Sequence, residues 1–130
     1  MSTLKADTIQ STGGGAVTLT KQEAVKAYGM VDGTGTVNLI TSFNASGVTD
    51  NGTGDYTLNL TSSMGNTTYM FIIDSYNVST SASARGGTKY TGGQAAGSFR
   101  FLVGYPSNTS GAGTKFDEDA NPIALLGDLA

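Results

Sequence analysis

Acidic and amide side chains surround glycines in TDNGTGDYTLNL, residues 49–60, and oxygen-bearing side chains of this kind are the ligands that calcium prefers. An EF-hand loop requires oxygen ligands at positions 1, 3 and 5, glycine at position 6 and glutamate at position 12. Counted from the first aspartate, these positions hold Asp50, Gly52, Gly54, Asp55 and Thr61. Only the first position fits, and the stretch is not repeated as the calcium-binding nonapeptide would be. The spacing therefore argues against a cation site.

The same stretch has the pattern of a β-hairpin. Asn51-Gly52 tolerates the positive φ angles that tight hairpin turns require. Val48 precedes the turn, and Tyr56, Leu58 and Leu60 follow it in alternation with polar residues. We predict two paired strands whose register is set by this turn, with the aspartates capping it.

Other catalytic chemistry finds little support. The chain has no histidine, which removes the commonest general base, the usual zinc ligands and any Ser-His-Asp triad. All ten acidic residues lie in polar or turn-like contexts, which predicts solvated carboxylates rather than a paired acid and base. Gly33 and Gly35 begin a dinucleotide-binding pattern, but Asn38 occupies its third glycine position. We predict a non-enzymatic protein without cofactor, metal site or catalytic residue.

The net charge and the absence of targeting signals argue against several classes of partner. The formal net charge is −3, and no basic stripe is present to neutralise phosphates, so we expect binding neither to nucleic acid nor to anionic membranes. The first fifteen residues lack the apolar run of a signal peptide, and no segment approaches 18 uninterrupted apolar residues. Cysteine is absent. We therefore expect cytosolic synthesis without export through the Sec pathway or membrane insertion.

The elements that position these residues are mainly strands. Nineteen glycines and frequent turn dipeptides separate short runs rich in threonine and valine, a composition typical of antiparallel β-structure. We predict a small antiparallel β-sandwich or jelly-roll-like domain over residues 21–130. Residues 1–20, which have few apolar anchors and a triple glycine, are predicted to form an extended arm. A capping-box spacing from Thr20 to Glu23 predicts a short helix from about Lys21 to Ala27.

Three apolar segments exceed what one small sandwich obviously buries. The strand candidate at 69–73 is apolar on both faces, the candidate at 98–103 is also rich in apolar residues, and a further apolar run ends the chain at 122–126. These segments either pack on one another within a monomer or are covered by neighbouring subunits. On the second interpretation, the predicted oligomer or particle contacts are Leu4, Ile9, Phe71, Ile73, Ile123, Leu125 and Leu126.

The segment SASARGGTKYTGGQAAG, residues 81–97, is rich in glycine and predicts a long exposed loop. Arg85, Lys89 and Tyr90 are its candidate recognition residues. Together with Tyr76 and Tyr105, Tyr90 could offer stacking faces to a sugar, so a carbohydrate-binding module is an alternative function. Tyrosines are more often packed in strands, and no tryptophan is present.

The run DGTGTVNLITSFNASGVTDNGTGDYTLNLTSSM at 32–64, followed by NTTYMFIIDS at 66–75, resembles tail-fibre-type structural proteins of tailed bacteriophages, particularly marine ones. STLKADTIQSTGG at 2–14 is similar to the LKVDTI-type amino terminus of that group, and Leu60 stands where the group has phenylalanine. The resemblance covers about the first 75 residues and does not extend to 80–130.

This resemblance implies a β-rich virion protein that forms a homotrimer and attaches to other virion proteins of the tail or capsid through its amino-terminal part. Members of the group commonly present a variable distal part to the host, so a host-surface glycan is a further expected partner. Many members carry this pattern at the end of a much longer chain. A chain of 130 residues would suit a capsid decoration or head-fibre trimer as well as a short tail fibre.

Overall fold

A computed structural model of the chain describes residues 24–77, 86–105 and 113–127, together with Gly13. Within these ranges the secondary structure consists of strands, turns and irregular segments, and it includes no helix. The strands are β1 Ala24–Asp32, β2 Asn38–Phe43, β3 Ala45–Gly52, β4 Asp55–Leu60, β5 Met70–Ile73, β6 Gly86–Ala95, β7 Ser98–Tyr105, β8 Thr114–Lys115 and β9 Asn121–Gly127. In the part of the chain described, no helix is long and apolar enough to cross a membrane.

The strands form two antiparallel sheets. Sheet A has the strand order β2-β1-β9-β5, and sheet B has the order β3-β4-β7-β6, with the short β8 paired to the far end of β7. The prediction of a mainly β fold is confirmed, and the two sheets are consistent with a β-sandwich. Strands distant in sequence lie side by side, because β1 near the start pairs with β9 near the end.

The core lies where alternate side chains of both sheets meet. Phe99 on β7 is fully buried, and its ring centroid lies 4.9 Å from that of Phe71 on β5 and 6.3 Å from that of Tyr69. Leu58 on β4 and Leu125 on β9 are also fully buried in this cluster. The period-two alternation in these strands directs one set of side chains inward, and the burial of that apolar area stabilises the fold.

A single residue turns the chain from sheet A into sheet B. Asn44 lies between β2 and β3 with a φ of 53°, a left-handed conformation that asparagine tolerates better than most residues. Its side-chain amide donates to the carbonyl oxygens of Lys26 at 3.0 Å and Ser62 at 3.1 Å, and its side-chain oxygen accepts from the Ser62 amide at 2.7 Å. These bonds tie both sheets at the corner.

The predicted hairpin is confirmed, with a difference in its turn. Strands β3 and β4 pair as expected, but the turn lies at Thr53-Gly54, and the residues with positive φ are Gly52 and Gly54 rather than Asn51. The Asp50 carboxylate accepts a 2.8 Å bond from the Gly52 amide, so this aspartate does cap the turn. Asp55 has another role, described below.

Two predicted elements are corrected. The helix predicted from Lys21 to Ala27 is wrong over Ala24–Ala27, where β1 has already begun, because pairing with β9 outweighs a weak local capping preference. The predicted loop at 81–97 is wrong over Gly86–Ala95, which form β6; its glycines allow close approach, since a Cβ on Gly87 would overlap Ile73. Residues 1–12, with Leu4 and Ile9, lie outside the described residues, as does Arg85.

Candidate interaction surface

The hairpin is held by a carboxylate from a distant segment. Asp117 accepts a 2.7 Å bond from the Gly54 amide and a 2.5 Å bond from the Tyr56 hydroxyl. Tyr56 is fully buried, and its burial, together with the Asp117 charge, raises the pKa of the phenol well above its ordinary value. Both groups therefore fasten the hairpin to the 113–120 segment.

An ion-pair cluster occupies the outer side of sheet B. Asp55 is only 4% exposed, and its carboxylate accepts bonds from Arg100 Nε at 2.8 Å and Arg100 Nη2 at 3.0 Å, with Lys115 Nζ at 3.6 Å. Hydrogen bonding to the Arg100 guanidinium lowers the pKa of the Asp55 carboxyl below its ordinary value. Glu118 is fully buried as well. The expectation that all acidic residues are solvated is therefore wrong, because β7 and β8 bring cations to Asp55 from far along the chain.

The Asp55 pair predicts a pH-dependent contribution to stability. Because the folded-state pKa of Asp55 lies below the ordinary 3.8, the contribution is present at neutral pH and is lost as the pH falls through the lowered pKa. Replacing Asp55 by Asn is expected to cost about 1 kcal/mol of unfolding free energy at pH 7, since water screens a partly exposed Arg100. Urea denaturation at several pH values measures this cost.

The matched control for this test is Asp50→Asn. Its side-chain oxygen can still accept from the Gly52 amide, so we expect a small effect at every pH. The cost of Asp55→Asn should vanish at pH values well below 3.8. A difference from the parent chain that stayed constant with pH would contradict the assignment of this ion pair.

Tyr90 and Lys89, two of the predicted recognition residues, already contact other side chains of the same chain. The Arg100 guanidinium carbon lies 3.9 Å from the centroid of the Tyr90 ring, so one face of that ring is already covered by a cation. Lys89 is exposed and lies 3.4 Å from the Gln94 side-chain oxygen. These two residues remain predictions for a host contact, now placed on an edge strand rather than a loop.

A cavity of about 560 Å³ opens at one end of sheet B, between β6, β7 and β8. Its lining residues include Thr88, Leu102, Tyr105 and Lys115 together with four glycines. None of the described lining residues is a carboxylate, so the paired acids that sugar hydrolysis requires are not assembled there. The Tyr105 ring packs against Phe116, with 4.6 Å between centroids.

The outer side of sheet A carries large exposed apolar side chains. Alternation along each strand turns one set of residues away from the core, and antiparallel register aligns them in rows across the sheet. The first row contains Phe43, Tyr28, Ala124 and Ile72, and the second contains Val25, Leu126 and Met70. We call these seven residues, with Met30 and Pro122 beside them, the apolar face.

Exposure of these side chains is large. Met70 is 62% exposed, Ile72 and Phe43 are each 54% exposed, and Tyr28 is 42% exposed. The Tyr28 and Phe43 rings stack across strands with 5.9 Å between centroids. Contiguous apolar surface of this kind is unusual on a soluble monomer and marks interaction sites.

Most of the predicted contact residues within the described ranges lie on the other side of sheet A. Ile123 and Leu125 are buried, while Phe71 and Ile73 are half-buried and pack against the same core. These four side chains contribute to the core, whereas Leu126 lies on the apolar face; their contact with a neighbour stays a prediction. The sequence analysis did not select the outward residues of β5 as contacts. Both sets of alternating residues in this strand are apolar, and choosing between them requires knowing which side of the strand the second sheet covers. The strand candidate at 69–73 had nevertheless indicated that both sides are apolar.

Among the described residues, no three acidic side chains come close enough together to hold a metal ion. Comparison of the chain with known protein families, with curated proteins and with solved structures found no significant match.

Proposed function

We propose that the protein is a non-enzymatic structural component of a bacteriophage virion: a short homotrimeric tail-fibre-type subunit attached to the particle through its amino-terminal arm. The observation that carries this proposal is the apolar face, which suits a subunit that is covered in an assembly better than a freely diffusing monomer. The resemblance of residues 32–64 and 66–75 to tail-fibre-type proteins supports the kind of assembly.

The chemistry of the described residues supports a structural role as well. Asp55 and Asp117 are bound to partners that hold strands together, and the cavity at the end of sheet B has no carboxylate among its described lining residues. A buried hydrogen-bond network around Asn121 also joins separate parts of the chain. Asn121 donates to the carbonyl oxygens of Val31 at 2.9 Å and Glu118 at 2.8 Å, and accepts from the Ser75 hydroxyl at 2.7 Å. Fully bonded polar groups of this kind give a core one specific arrangement.

A capsid decoration or head-fibre trimer is the second candidate. It is favoured by the described residues forming two packed sheets without a fibrous repeat. Both candidates use the same assembled subunit and differ in where it is attached and in how many copies a particle carries.

Counting and locating the protein on particles tests the proposal. We expect immunogold labelling of purified virions to mark one end of the tail, and quantitative mass spectrometry to give a few copies per particle. Hundreds of copies spread over the head would instead assign the protein to the capsid lattice. Particles from a phage lacking the gene provide the control, and absence of the protein from purified virions would refute the proposal in both forms.

A further inference from the structure

We infer that the apolar face is the surface through which copies of this chain assemble, and that in the trimer three such faces enclose the common axis. This inference rests on the homo-oligomeric part of the proposed function. It adds which side of the molecule is covered, and by what: the same nine residues of other copies.

The charge distribution favours a second copy as the occupant. The face consists of apolar side chains, and Asp74 is the one charged residue among the described residues that line its centre. A mainly apolar surface selects a partner surface that is also mainly apolar, because an unpaired charge would be costly to bury. The outer side of sheet B, with Asp55, Arg100 and Lys115, is not such a surface, whereas the apolar face of another copy is.

The surface of the face has both a recess and projecting side chains. Ala124 lies at its centre with a short side chain, and a shallow depression of about 230 Å³ surrounds it, bounded by Tyr28, Met30 and Ile72. Met70, which is 62% exposed, and Phe43 stand beside this depression. One copy therefore offers both a recess and projecting side chains of the size that fill recesses in packed interfaces.

The area of the face is modest. Four strands spaced about 4.8 Å apart, and about five residues along each strand, give a face roughly 20 Å by 20 Å with its side chains. Each chain covers about 400 Å² with this face in a dimer and in a trimer alike. The width of the sheet, and not the area, therefore distinguishes the two assemblies.

The width of the sheet fits a threefold axis. Three flat faces about 17–20 Å wide that form a triangular prism lie about 5–6 Å from its axis, which is half the ~10 Å separation of packed sheets. Side chains from the three faces then meet at the axis without a channel. A much wider sheet would leave a void, and a narrower one would not admit the tyrosine and phenylalanine rings.

Ile72→Glu tests the inference, with Thr91→Glu on the exposed part of β6 as the matched control. We expect light scattering to give about three times the 13.2 kDa chain mass for the parent and the control at ~10 µM. The Ile72 variant should assemble at least ten-fold more weakly, because a carboxylate would be buried at the axis. Circular dichroism of each variant verifies that the strands are retained.

A cross-linking experiment gives an independent readout. The chain has no cysteine, so Ala124→Cys introduces a single thiol at the centre of the face, and Thr91→Cys provides the control. A short bismaleimide, each end of which adds one thiol across its double bond, should link the Ala124 variant between chains at least ten-fold faster than the control, because equivalent Ala124 positions around the axis lie too far apart for a direct disulfide.

Either of two results would overturn the inference: a parent chain that is monomeric at 100 µM, or an Ile72→Glu variant that assembles as tightly as the parent. Monomers whose Ala124→Cys thiol is nevertheless protected from reagents would identify the amino-terminal segment of the same chain as the occupant. A dimer cross-linked through Ala124→Cys would support the face as the contact while contradicting the proposed trimer. Absence of the protein from virions would refute the proposed function and leave this surface unaffected.

Discussion

Replacing Leu125 by alanine is expected to lower the free energy of unfolding by about 3 kcal/mol. Leu125 is fully buried on β9, in register with Ala27 on β1 and Phe71 on β5. Its removal leaves a cavity between the two sheets, and the neighbouring strands cannot close that cavity without losing their register. For a domain with a total stability of about 5–15 kcal/mol, this loss is a large fraction.

The adjacent residue supplies the control. Leu126 lies on the same strand, points to the opposite side and is only half-buried, so Leu126→Ala should cost under about 1 kcal/mol in dilute protein. Urea denaturation monitored by tyrosine fluorescence measures both variants. Equal losses for Leu125→Ala and Leu126→Ala would contradict the assignment of inner and outer sides of β9.

Gly54→Ala is expected to cost about 2–4 kcal/mol and to loosen the hairpin. Gly54 has a φ of 58°, and a Cβ there would lie 2.5 Å from the Val103 carbonyl oxygen and 2.8 Å from the Phe116 amide nitrogen. The backbone cannot move away freely, because the Gly54 amide donates to Asp117 and its carbonyl accepts from the Val103 amide at 2.9 Å. Strain and overlap therefore act together.

Gly35→Ala separates the two causes. Gly35 has a similar φ of 61°, but no atom lies within 4 Å of the position that a Cβ would take. Its substitution should cost about 1 kcal/mol, the strain of a left-handed alanine alone. Thermal unfolding followed by circular dichroism compares the two variants, and a Gly54→Ala cost no larger than that of Gly35→Ala would show that Val103 and Phe116 yield easily.

Both predictions concern interactions that hold the domain together at positions away from the apolar face. The core between the sheets supplies stability, and the 113–120 segment fastens the hairpin of sheet B through Asp117. Among the described residues, the outer side of sheet A presents mainly apolar side chains instead. The assembly that we propose therefore requires no described part of the subunit to unfold.

The local patterns were predictable where short-range physics decides them. The alternation of Tyr56, Leu58 and Leu60 and the glycine-rich turn before it predicted a hairpin, because period two and turn conformations are local properties. The observed turn nevertheless lies two residues after the predicted one, since Gly54 can adopt the left-handed conformation while its amide donates to Asp117, 63 positions away. A hydrogen bond between residues so far apart in sequence cannot be predicted from a short stretch of sequence.

Longer-range features were missed for the same reason. A glycine-rich stretch indicated a loop where Gly86–Ala95 form an edge strand, because pairing with β7 supplies bonds that local composition cannot predict. Asp55 looked like a turn residue and is a nearly buried member of an ion pair, because Arg100 arrives on a strand 45 positions away.

The sequence by itself determined that the chain is built from antiparallel strands and that segment 69–73 carries apolar side chains on both sides. Because the chain has no histidine, the sequence also excluded any site in which a histidine assists a carboxylate. Only the tertiary structure decided which of those sides is the core. Alternation assigns residues to two sets, but the pairing of β9 between β1 and β5, and the position of sheet B, decide that Phe71 and Leu125 face inward. Met70 and Ile72 then face outward, because adjacent residues of a strand cannot point to the same side.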